Sequence, residues 1–307
     1  MRIFVAGATG VIGRPAVRAL IAAGHEVTAV ARTPGKAEQL TAAGATPATV
    51  DLFDPAAVKA AVRGHGVVAN LATHIPPVSR AALPGAWSDN DRLRSEASRH
   101  LVDGALAAGA GRYIQESITF AYPDSDDRWL DEDAPFEPVG YVRSLADAEA
   151  NTARFSAGGG IGVVLRFSAF YGPESHHTVA MVRAARHRIA MQPGRPDAYL
   201  SSIHTEDAGR AVAAALTVGA GVFNVTDDEP VTRAQHDAIL ATAVGVRSLR
   251  RPPAGVARLG GSKISLLMRS QRVSNARFRR ASGWAPDHGS VSEGLPAVIQ
   301  SVRGTET

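Results

Sequence analysis

The chain has 307 residues, 45 % hydrophobic and 20 % charged, with a net charge of +4, which suffices for one large domain or two lobes around a substantial core. It contains no cysteine, so disulfides, thiolate metal sites and cysteine nucleophiles are excluded. Apolar runs stay well short of the ~18 residues of a membrane helix, and Met1 leads into a short strand instead of a secretory leader, so a cytoplasmic protein with no membrane partner is expected.

Short apolar runs then alternate with helical patterns, the signature of a parallel sheet covered by helices. Arg2 to Ala6 reads as the first strand, and Val11 to Ala23 as a helix with Val17, Leu20 and Ile21 inward and Gly24 as its stop. Strands follow at His25 to Ala31, Ala45 to Val50 and Val67 to Leu71, the last running into a loop with Pro76 and Pro77. Leu93, Ala97, Leu101 and Ala105 recur every four residues and mark an amphipathic helix. Arg112 to Gln115 is a fifth strand, Tyr141 to Phe155 a helix and Gly162 to Phe167 a sixth strand. The expected architecture is α/β: a Rossmann-type doubly wound parallel sheet over residues 1–167, with a smaller C-terminal substrate lobe over 168–307. Leu200 to Ile203 and Gly221 to Val225 are expected to return to the main sheet.

Gly7, Gly10 and Gly13 stand as G-A-T-G-V-I-G directly after the first strand. Such a turn gives a dinucleotide's pyrophosphate a tight bend, a close backbone approach and a helix N-terminus with free amides. Thr9, Val11 and Ile12 belong to the same phosphate loop. A protein selecting NAD carries a carboxylate near the end of the second strand, for the adenine ribose hydroxyls. Here that place holds Arg32, with Lys36 four residues on, and a guanidinium suits a 2′-phosphate. NADP(H) is the expected cofactor, with NAD possible.

Several ordered motifs make the chain resemble the extended or atypical short-chain dehydrogenases/reductases of the NAD-dependent epimerase/dehydratase type. They are G-A-T-G-V-I-G from Gly7, D-L at Asp51, N-L-A-T from Asn70, A-A-G-A-G-R-Y-I from Ala107 and L-R-F-S-A-F-Y-G-P from Leu165. I-H-T-E-D-A from Ile203, F-N-V-T-D-D-E-P-V-T from Phe223 and S-G-W-A-P from Ser282 complete the set. The resemblance implies that Asp51 and Leu52 flank the adenine, that Asn70, Leu71 and Ala72 line the cofactor's path, and that Phe167 to Tyr171 runs beside the nicotinamide. It also implies a homodimer through the helices at Leu93 and Tyr141.

The family's chemistry uses Tyr-x-x-x-Lys and a Ser or Thr. The matching stretch here is Y-V-R-S-L, with Tyr141 present and Leu145 at the lysine position. Without the lysine, Tyr141 keeps a pKa near 10 or higher, which suits a proton donor better than a base. Counting back from Tyr122 puts Ile118 at the Ser/Thr position, with Ser117 one residue early and Thr119 one late; Ser117 is the expected catalytic hydroxyl. Arg94 stands where the family has a helix asparagine. Nucleotide-sugar dehydratases follow their Ser/Thr with Asp-Glu, which Ile118-Thr119 does not supply.

Thr119, Tyr171, His176 and His177 are candidate substrate residues at the mouth of the second lobe. The acidic loop Asp124, Asp126, Asp127, Asp131, Glu132, Asp133 reads as solvated, no metal site is expected, and His204 falls on a structural motif. Late basic residues from Arg247 through Arg251, Arg258, Lys263, Arg269, Arg272 and Arg277 to Arg280 lack interleaved aromatics, so no nucleic-acid partner is expected. The reading is an NAD(P)-dependent oxidoreductase reducing a carbonyl-type group on a small molecule, with Tyr141 as donor and Ser117 polarising the oxygen. The alternatives are a nucleotide-sugar epimerase/dehydratase and a non-catalytic NAD(P)-binding sensor.

Overall fold

A computed structural model describes residues 1–76, 80–81, 83–251 and 261–304, without the side chains of 261–264 and 303–304. Pro77, Arg258 and the Lys263 side chain therefore lie outside the described residues.

Seven runs rich in Val, Ile, Ala and Phe form the main sheet: β1 (Arg2–Ala6), β2 (Glu26–Val30), β3 (Thr46–Ala48), β4 (Val67–Asn70), β5 (Arg112–Ile118), β6 (Ile161–Phe167) and β7 (Gly221–Val225). Their order across the sheet is β7-β6-β5-β4-β1-β2-β3, and every pairing is parallel. Continuous apolar strands of this kind need cover on both faces. One face packs Val17 and Leu20 of the helix Gly13–Ala22 with Ala208 and Val212 of the helix Thr205–Ala214. The other packs Val58, Leu101, Val102 and Phe155. The strand order reverses between β1 and β4, where Ala6 pairs with Asn70, and a ligand crevice opens at such a switch point.

Two expectations need correction. Of the late strands, only β7 joins the main sheet; Ser202–His204 pairs with Ala169–Tyr171, and Tyr199–Leu200 with Val231–Thr232. Tyr141 is not in a helix with Leu145: Gly140–Val142 is a 3₁₀ turn, and the α-helix runs Leu145–Ala157. Gly140 has φ +59°, which ends the approaching chain in a bend that only glycine adopts readily.

The predicted helix at Leu93 also has a break in period. It runs as α-helix over Ser88–Arg92, widens to a π turn at Leu93–Ala97 and resumes over Ser98–Ala107. After Phe167 a second apolar cluster forms from Met181 and Val182, Leu240 and Val244, and Leu295, Val298 and Ile299.

Candidate active site

The glycine turn is shaped by contacts that no side chain tolerates. A Cβ on Gly7, whose φ is +78°, would lie 2.4 Å from the Leu71 carbonyl, and one on Gly13 would lie 2.0 Å from the Gly7 oxygen. The turn closes with the Gly10 amide donating to Gly7 O at 3.0 Å. The β1 end, the first turn of the helix and the N-L-A segment after β4 are thereby pressed together at the switch point. Ile12 is buried in the core, so its amide and not its side chain is available to a phosphate, while Thr9 and Val11 are partly open. A dinucleotide fits this cradle, because the backbone approaches closely and the helix end carries partial positive charge.

Arg32 is exposed and Lys36 half-buried beside it, and among the described residues neither is in an ion pair. Asp51 is exposed and its carboxylate caps the Phe53 amide at 2.9 Å; Leu52 is buried, with its carbonyl against the His100 ring. Asn70 does not present a free amide. It donates to Gln115 at 3.0 Å and accepts from the Ala72 amide, so it shapes the Leu71–Ala72 wall from within. Phe167 needs correction as a cofactor contact: it is wholly buried in the core, and its ring meets Phe170, which is partly open.

At the catalytic end, Ile118, Tyr141, Leu145, Ala121, Val142 and Leu266 form one apolar cluster. Leu145 is fully buried there, so the lysine position is filled with packing. The Tyr141 ring lies against Trp87, with centroids 4.5 Å apart, and its hydroxyl has no partner among the described residues. Burial pushes this phenol up to about 12, against the opposing pull of Arg94 and Arg269.

Ser117 is corrected as the catalytic hydroxyl. It is fully buried, and its single proton goes to Glu149 Oε1 at 2.7 Å, leaving none for a substrate. Glu149 in turn takes two bonds from Arg166, at 2.9 and 2.7 Å, and Arg166 donates to the Tyr122 hydroxyl, which reaches Asn224. This buried network under β5 and β6 escaped the sequence reading. Its signal was an arginine in the apolar run of β6, since an arginine so placed needs a partner.

Thr119 is buried, with only a 3.4 Å contact to Ser168. Tyr171 is also buried, its hydroxyl on the Ser290 carbonyl and its ring against His204, so it is structural and not a substrate contact. His176 and His177 are exposed at the start of the helix His176–Arg186. His204 caps the helix Thr205–Ala214 by accepting the Glu206 amide. His204, Asp207 and His288 bring potential ligand atoms within 4.8 Å. Asp207 is already engaged by Arg210, His288 and two backbone amides, so its lone pairs are committed to holding the C-terminal segment.

The acidic loop is not wholly solvated: Glu132 accepts the Asn224 amide at 2.8 Å and pairs with Arg277. The late arginines disperse into local partnerships, Arg251 with Asp237, Arg279 with Asp228, and Arg272 over Trp129 and Tyr199.

Residues 7–154 match a family described as NAD(P)H-binding. A 3-diazoavenalumate denitrifying reductase from Streptomyces sp. is 36 % identical over 96 % of this chain and 99 % of its own. A 2-alkyl-3-oxoalkanoate reductase from Shewanella oneidensis is 29 % identical over 76 % of this chain and 63 % of its own. The structure of human epimerase family protein SDR39U1 with NADPH superposes with a TM-score of 0.83 at 22 % identity, over 98 % of this chain and 99 % of that one. The chain belongs to the extended, atypical short-chain dehydrogenase/reductase family of the epimerase/dehydratase type. It is an NAD(P)-dependent oxidoreductase.

Proposed function

We propose that the protein uses NADPH to reduce a carbonyl-type group on a small molecule, with Tyr141 donating the proton. The observation that carries this reading is the trio Ile118, Tyr141, Leu145: two of the three catalytic positions are apolar, and the third is a phenol without a partner among the described residues. A phenol pushed up to about 12 is neutral at physiological pH. It can give its proton to the oxygen that becomes negative as hydride reaches the carbon. It is a poor base for the reverse, since oxidation of an alcohol needs the tyrosinate. An epimerase, which oxidises its sugar first, is disfavoured for the same reason.

A second reading is favoured by the loss of the relay itself. A diazonium group needs no oxyanion stabilised: hydride adds, dinitrogen leaves, and ArN₂⁺ plus NADPH gives ArH, N₂ and NADP⁺. The Streptomyces relative's name points to diazo chemistry, and an apolar site suits a step that forms no new charge on the substrate. NADPH oxidation with a 3-oxoalkanoate and with an aryl diazonium salt separates the two. Tyr141→Phe is expected to lose about 10²–10⁴-fold on the carbonyl and little on the diazonium. Tight NADPH binding with no turnover of either acceptor overturns both and supports a sensor. A cytoplasmic homodimer through the helices Ser98–Ala107 and Leu145–Ala157 is part of the proposal, supported by the family resemblance and tested by light scattering.

A further inference from the structure

We propose that Arg94 is a positioning residue for Tyr141: a buried guanidinium, incompletely matched by Glu116, that supplies from the π turn the positive field lost with the lysine. The proposal rests on the reading of Tyr141 as the proton donor.

Arg94 lies in the π turn Leu93–Ala97, a local widening that costs regular hydrogen bonding and is frequent at functional sites. Its side chain is 1 % exposed, and a charge so buried is expensive unless it is paired. Its pairing is poor. Among the described residues its one bond to a carboxylate is Nη2 to Glu116 Oε1 at 3.3 Å, and Arg94 Nε, Arg94 Nη1 and Glu116 Oε2 have no partner there. The same molecule shows what a fully matched buried pair looks like, because Arg166 grips Glu149 through two bonds of 2.9 and 2.7 Å. Arg94 and Glu116 therefore do not cancel as Arg166 and Glu149 do.

The imbalance has a sign. Burial pushes the Glu116 carboxyl up, against Arg94, and the charge of Glu149 adds to the push. Strand residues two apart share a face, so Glu116 lies on the same side of β5 as Ile118, which packs with Tyr141, and Arg94 reaches that side through Glu116. Trp87 covers the phenol's ring, and the charges of Arg94 and Arg269 oppose the upward push of burial on it. When Tyr141 gives its O–H proton to an acceptor oxygen, the phenolate left behind is stabilised by a cation whose own counter-ion is weak. Leu145 can then be apolar without leaving the phenol inert.

The test is a titration of position 141 in the full chain, with a fluorinated tyrosine there to bring the phenol into a range the fold tolerates, read by fluorine NMR. Arg94→Met is expected to raise the midpoint by about one unit or more. Glu116→Gln is expected to lower it, because the cation loses its remaining counter-charge, and Arg94→Lys to restore most of the wild-type value. A pair that only braces the fold would move the midpoint the same way in both variants, or not at all, and either result overturns the proposal. Should Arg94→Met fail to fold, Glu116→Gln decides alone: an unchanged or raised midpoint overturns it. Because the readout needs no turnover, it is separate from the reductase reading. Tyr141-dependent activity with an unresponsive midpoint would sink the role of Arg94 and leave the reaction standing.

Discussion

The two ends of the crevice have fared differently. At the cofactor end, the glycine turn keeps the shape a pyrophosphate requires, and Gly7 and Gly13 are enforced by backbone atoms 2.0–2.4 Å from where a Cβ would lie. At the catalytic end, two of three reacting positions have become Ile118 and Leu145, packed in an apolar cluster. Cofactor binding comes from the shape of the main chain, so it persists as long as the fold does. Proton transfer in the proposed reaction depends on side-chain chemistry instead, and the fold accepts apolar packing at those positions.

The largest effect expected from this contrast is at Gly13. Gly13→Val should abolish NADPH binding and lower the melting temperature, since the new side chain meets the Gly7 carbonyl and the backbone there cannot yield. Fluorescence titration with NADPH reads it, and an affinity within tenfold of wild type would mean that the turn is not the cradle. Leu145→Lys comes next. An ammonium placed in a fully buried apolar cluster has no partner, and about 3–5 kcal/mol of stability should be lost in urea unfolding. A neutral substitution that gains alcohol oxidation would instead show a dormant version of the family's relay.

Arg32→Ala should weaken NADPH by roughly 10–100-fold, the worth of about 1.5–3 kcal/mol for charged hydrogen bonds, and leave NADH unchanged. Equal losses for the two cofactors would remove the assignment of the 2′-phosphate to this arginine. The smallest effect extends the contrast to the second lobe, where His236 is buried, its Nδ1 without a partner among the described residues, and is held down to about 4 by burial. The unfolded chain takes up this proton near 6.5. Its contribution to stability is therefore complete above that value and lost as pH falls from there towards 4. The urea midpoint should drop across that window, and His236→Leu should flatten the drop. An unchanged slope in the variant would assign the acid sensitivity to other groups.

Much of the fold was legible because its signals are local. β1 was read to the residue, and β2, β4, β5 and β6 to within a few residues, because apolar runs bounded by glycine and polar turns leave little choice. The fate of Leu200 to Ile203 was not legible, since pairing partners are set by tertiary context. The π turn escaped because one extra residue in a helical turn hardly disturbs a four-residue repeat. At the site, the apolar character of Leu145 was legible from the sequence and the structure buries it, while Ser117 was assigned a task that its bond to Glu149 does not fit. Its partner Glu149 is 32 residues away and becomes visible only when Leu145–Ala157 docks beside β5. Arg94 was noticed as a substitution, but its under-matched pairing with Glu116 depends on a contact no spacing rule encodes.

The alternation of side chains along β5 also bears on the history open to this enzyme. Ser117 and Ile118 are neighbours in sequence, yet successive strand residues point apart, and Ser117 belongs to the Glu149 network while Ile118 faces Tyr141. A hydroxyl one position away is therefore no reserve for the missing one. To regain it by slipping the strand, a lineage would have to drag Glu116 and Ser117 out of both buried ion-pair systems at once. Point replacement of Ile118 is open, but it supplies only one of the two missing groups, and Leu145 would have to change as well. Two simultaneous changes are a far rarer event than one, so the proposed shift towards reduction behaves as a ratchet.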